Sequence, residues 1–91
     1  MTAKEIFNKL GYEQRINDDV GIQYVKRAEE SEMQRIGVVE EKYIEFYRFH
    51  KEINICIDYK YSDGKTSSSN SSTLNIEEFK AVQKQVLELE W

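Results

Sequence analysis

The sequence predicts an α+β domain: a helix, a three- or four-stranded antiparallel sheet and a C-terminal helix, with both helices on one face of the sheet. Three observations carry this. Helix-capping residues stand near both ends of the chain, apolar residues recur at helical spacing behind each cap, and between the helices the apolar period falls to two. The chain has 91 residues, 40% of them hydrophobic with six Tyr and four Phe, which is enough for one core and one domain, 1–91.

The first helix is placed over residues 2–10. Thr2 caps it and Glu5, three residues on, completes a capping box in which each side chain serves a backbone N–H left bare at the helix start. Ile6, Phe7 and Leu10 form the apolar stripe. Gly11 takes the left-handed position that ends many helices, and Tyr12 folds back on the last turn.

Antiparallel strands are placed over residues 20–61. Val20, Ile22 and Tyr24 alternate with polar residues, as do Ile44 and Phe46. Ile53, Ile55, Ile57, Tyr59 and Tyr61 give the longest alternation. The segment "MQRIGVVEE" admits two readings, a fourth strand or the first half of a long strand bent at Gly37. "RINDDVG" reads as a polar turn into the first strand.

Residues 62–73 read as a Ser-rich flexible loop that opens on a Ser-Asp-Gly turn. It offers no apolar contact, and closure entropy varies slowly with loop length, so shortening it is expected to cost little. The last helix spans 75–89. Asn75 caps it, Glu78 completes the box, and Leu74 and Phe79 have the spacing of a hydrophobic staple. Ile76, Phe79, Val82, Val86 and Leu89 fall at steps of 3, 3, 4 and 3, a one-face pattern. Trp91 is expected to pack back on the domain. The ends "KLGY" and "ELEW" look alike, yet no repeat joins them, so they read as two separate closures.

The patterns "AKEIFNKLGYE", "YIEFYRFHKEINI" and "TLNIEEFKAVQKQVLELEW" resemble a group of small uncharacterised proteins carried by phages and prophages of low-GC Gram-positive bacteria. The resemblance covers the two ends and the central hairpin. It implies this fold and a phage or prophage origin, and it brings no activity. Residues 28–40 stand out from the group as an insertion, Glu90 replaces its closing Gly, and the Ser-rich loop is longer.

Composition narrows the function. Charged residues make up 33% of the chain and mean hydropathy is −0.71, so most of what is not core is wetted surface. No run approaches the roughly 18–20 apolar residues of a membrane span. Lys4, Glu5 and Lys9 break up the opening residues, so no signal peptide is expected. Cys56, the single cysteine, forms no internal disulfide, which fits a reducing cytoplasm; the resemblance implies that of a bacterial host cell. A net charge of −4 disfavours non-specific binding to nucleic acid or an anionic membrane.

Catalytic and metal chemistry find little support. His50 in a hairpin tip and Cys56 down the returning strand lie too far apart for a nucleophile–base pair. "NDDVG" resembles the start of a calcium loop, but Gly21 and Ala28 stand where ligands are needed. The expectation is therefore no catalytic residue, no metal and no cofactor. Two surfaces are candidates for binding a partner. Glu29, Glu30, Glu32, Glu40 and Glu41 form an acidic band able to imitate a phosphate backbone before a basic groove on another protein. The plainer reading of the band is a solvated turn. Tyr47, Arg48 and Phe49 sit at the hairpin tip with Lys51, a mixture that also stacks bases and meets phosphates. The acid excess argues against nucleic acid there.

The expected function is therefore non-enzymatic: a phage accessory protein that binds a host or phage protein, an inhibitor of a host defence or nucleic-acid-handling system in the anti-CRISPR manner. A self-associating structural or regulatory protein and a nucleic-acid binder through the 47–51 tip are the alternatives. A homodimer would form by pairing of the 53–61 strand if that strand lies at an edge.

Overall fold

A computed structural model describes residues 1–27, 37–69 and 73–91. The elements follow in the order α1 (Ala3–Lys9), β1 (Glu13–Asn17), β2 (Gly21–Arg27), β3 (Val38–Tyr47), β4 (Glu52–Tyr61), β5 (Thr66–Ser69) and α2 (Ile76–Glu88). The fold is α+β, and among the described residues the sheet has five strands rather than three or four. All neighbours are antiparallel, in the order β1-β2-β3-β4-β5.

The two extra strands are the edges. β1 reads EQRIN and β5 reads TSSS, so neither has an apolar alternation to betray it. They are held by backbone pairing to a better strand, not by their own side chains. Part of the segment expected as a flexible loop, 62–73, is therefore ordered sheet, with Ser69, Ser68, Ser67 and Thr66 opposite Ile57, Asp58, Tyr59 and Lys60. Residues 38–41 of the ambiguous segment open β3, which starts directly after Gly37. Residues 57–60 of β4 have a strand on each side, so the edge-pairing route to a dimer does not apply there.

Register sorts the side chains into two faces. Ile22 lies opposite Phe46 and Tyr24 opposite Ile44, and these four fill the face toward the helices with Ala3, Phe7, Tyr12, Ala81 and Val82. Phe7 stacks on Tyr24 with centroids 3.9 Å apart. Trp91 packs against this core, its ring 6.2 Å from Phe46.

Both capping boxes form as expected. The C-terminal ends share one device as well. Gly11 has φ +92, its N–H donates to Asn8 O, and the Tyr12 N–H reaches back to Phe7 O. Glu90 has φ +60, with Glu90 N–H donating to Leu87 O and Trp91 N–H to Val86 O. Each is a Schellman closure that satisfies carbonyls left open by the helix. They are separate closures, as expected, made the same way.

Val82, Val86 and Leu89 of the expected α2 stripe pack on the core, but its first two residues do not. The buried residues of α2 are Glu78, Ala81, Val82 and Gln85, whereas Ile76 is 67% and Phe79 47% exposed. Two polar residues turn inward because partners wait for them. The Tyr12 hydroxyl donates to Glu78, Lys42 Nζ lies 3.1 Å from its other oxygen, and the Tyr24 hydroxyl donates to Gln85 Oε1 at 2.5 Å. Buried polar groups with such partners carry little penalty, and small Ala81 lets the helix sit close.

Candidate functional site

The β1–β2 and β3–β4 turns meet at one end of the sheet. Asp18 builds the first. Its Oδ1 accepts from Val20 N at 2.9 Å and Gly21 N at 3.1 Å, a side-chain mimic of a backbone turn. Gly21 then starts β2 at a height no other residue can occupy, since a Cβ there would lie 2.0 Å from Phe46 O. The second turn closes at Lys51, whose φ is +55.

Arg48 fastens one turn to the other. Its backbone N–H donates to Val20 O at 3.0 Å, its Nε to Asp18 O at 2.8 Å and its Nη2 to Asn17 Oδ1 at 3.0 Å. The guanidinium expected to face a partner is therefore largely spent inside the protein. Tyr47 and Phe49 remain outside. Phe49 is 90% exposed, Val20 68%, Ile16 42% and Tyr47 37%. The Phe49 ring meets His50 edge-on at 4.7 Å, and a hollow lined by Asp19, Val20, Tyr47, Phe49, His50 and Glu52 lies between the turns. Just behind the tip, Glu45 accepts from Gln23 and Asn54, both at 3.0 Å, tying β2, β3 and β4 across the open face.

The acidic band fares differently. Glu29, Glu30 and Glu32 lie outside the described residues. Glu40 is half-buried, and Glu41, read from the sequence as a surface carboxylate, has 0% exposure. Lys60 Nζ lies 2.7 Å from Oε1, and Arg15 Nη1 and Arg27 Nη2 lie 3.4 and 3.5 Å from Oε2. Contact with Lys60 is the main reason the Glu41 carboxyl sits below the ordinary carboxylate value. Burial opposes that lowering, and Arg27 and Arg15 add to it. A carboxylate screened by three cations is not a phosphate mimic. Its cations come from β1, β2 and β4, so only the strand register brings them together, and the sequence carries no local sign of the cluster.

His50 and Cys56 are not brought together: Cys56 sits within β4 opposite Tyr43, and His50 lies in the turn before that strand. Burial, with Glu45 and Asp58 nearby, pushes the Cys56 thiol up, away from the reactive thiolate. Among the described residues no group of three or more His, Cys, Asp or Glu is placed to hold a metal ion. No described helix is long and apolar enough to cross a membrane. Comparison of the chain with protein-family models, with curated proteins and with solved structures gives no match.

Proposed function

We propose that this chain is a non-enzymatic binding module that grips another protein through its paired hairpin tips, with Phe49 as the anchor. The observation that carries the reading is Phe49 itself, 90% exposed on a turn that Arg48 locks to its neighbour. A large exposed ring on a rigid base loses little freedom on binding, and aromatic anchors ringed by smaller contacts dominate interface energies. Val20, Tyr47 and Ile16 supply that ring of contacts. The same observation weighs against nucleic acid, because Arg48 is committed inward and Asp18, Asp19 and Glu52 flank the tip.

The resemblance to phage and prophage proteins directs the proposal to a partner in a Gram-positive host or its phage. An inhibitor of a host defence or nucleic-acid-handling protein remains the sharpest form of it. In that form the apolar tip supplies the grip, and Glu29, Glu30 and Glu32 add whatever attraction to basic surfaces the band retains without Glu41.

The test is a pull-down from host lysate with three baits: the wild type, Phe49→Ala, and a triple reversal of Glu29, Glu30 and Glu32 to Lys. The tip reading expects one specific partner, lost with Phe49→Ala and kept by the triple variant. Loss with the triple variant alone would move the site to the acidic band. Recovery that vanishes on nuclease treatment would move it to nucleic acid.

A further inference from the structure

The rotation of α2 leaves an apolar face on the outside of the protein. Ile76, Phe79 and Leu87 are 67%, 47% and 71% exposed, and Ile53 of β4 beside them is 40% exposed. A groove runs between helix and strand here, with Val82, Gln83 and Val86 completing its walls. This face lies on α2 and β4, apart from the Asp18–Gly21 and Arg48 contacts that build the hairpin tips.

We propose that this face joins two copies of the chain, α2 against α2 in antiparallel, with Gln83 on the two-fold axis. Ile76, Phe79, Gln83 and Leu87 follow one another at steps of 3, 4 and 4, and all four are exposed on one face of the helix. Around Gln83 the face carries Phe79 four residues before and Leu87 four residues after, so these central pairs match in either direction. Turned about Gln83, the residue four before it meets the residue four after it, and Phe79 lies against Leu87 of the second copy. Gln83 then faces Gln83, and a carboxamide both donates and accepts, so each satisfies the other. A lone polar pair at such a position fixes the register. Antiparallel packing also sets the two helix dipoles side by side in opposite directions.

The area fits the same occupant. Taking roughly 150–200 Å² for a large apolar residue, the four exposures leave roughly 400 Å² of apolar surface per copy. A stable interface takes about 800 Å² from each partner, a little over half of it apolar. The two figures agree, and a two-fold contact is closed, so association stops at the dimer.

Sedimentation from low micromolar to several hundred micromolar is the test, with the wild type expected to pass from monomer to dimer. Leu87→Glu should raise the dissociation constant at least about tenfold. Because Leu87 is mostly exposed, its circular dichroism should stay that of the wild type. Register is read by oxidation in a Cys56→Ser background. Gln83→Cys should give a disulfide-linked dimer, Phe79→Cys mixed with Leu87→Cys a mixed disulfide, and Lys4→Cys on α1 neither. A monomer at every concentration overturns the proposal. So does a dimer that survives Leu87→Glu, or one that Phe49→Ala abolishes, since either would place the contact elsewhere.

Discussion

One absent methyl group fixes how the tip is built. A Cβ at Gly21 would meet a backbone oxygen, Phe46 O, at 2.0 Å, and a backbone oxygen cannot swing aside as a side chain can. Gly21→Ala is expected to cost about 3 kcal/mol, the upper end of overpacking penalties. A lower urea midpoint with an unchanged m-value would show it. Glu90 is the reverse case. It holds φ +60 with a side chain, where Gly11 does the same work at φ +92 without one. Glu90→Gly should relieve about 1 kcal/mol of left-handed strain. Part of that gain is offset by the extra freedom of Gly in the unfolded chain, so a rise of a few degrees in Tm is the expected reading. The Gly11 closure was visible in the sequence because a cap is local. Gly21 was not, because its reason lies on another strand.

The same division runs through the elements. Both helices announced themselves by caps whose partners stand three residues apart, and β4 by five alternating apolar residues. What stayed hidden was decided by distant partners. Apolar spacing alone cannot see that Tyr12, Lys42 and Tyr24 draw Glu78 and Gln85 inward, so the stripe it picks on α2 includes Ile76 and Phe79, which face solvent. β5 is legible only from β4, whose outer edge at residues 57–60 would otherwise be bare. Replacing Thr66–Ser69 with glycine should therefore not be neutral, as a loop would be. Amide exchange at residues 57–60 is expected to quicken by at least about tenfold, while residues 22–25 of β2 keep their protection. An uncovered apolar strand edge should also raise the tendency to associate on heating, measurable by light scattering.

At the scale of the molecule, two buried carboxylates among the described residues act as fasteners, one on each face of the sheet. On the helix face, burial disfavours the charge of Glu78. The Asn75 backbone N–H, the Tyr12 hydroxyl and Lys42 together outweigh burial and hold the carboxyl below its usual value. On the open face, Lys60, Arg27 and Arg15 do the same for Glu41. The sheet thus replaces a second helical layer with a charge cluster spanning β1 to β4. Both carboxyls titrate lower in the folded chain than in the unfolded one. Their stabilisation is complete above the ordinary carboxylate value, 4.5, and drains away as pH falls through the lower folded values. The expected result is a urea midpoint nearly level from neutral pH down to that value and falling steeply below it. Glu41→Gln strands three cations around a neutral amide, and their partial exposure limits the loss at neutral pH to about 1–2 kcal/mol. Combined with Glu78→Gln it should yield a protein weaker at pH 7 yet much less sensitive to acid, because the groups that would have taken up protons are gone. Urea midpoints of wild type and double variant at neutral and acidic pH decide the matter. A double variant that keeps the full acid slope of the wild type would place the titrating groups elsewhere and reduce both clusters to packing.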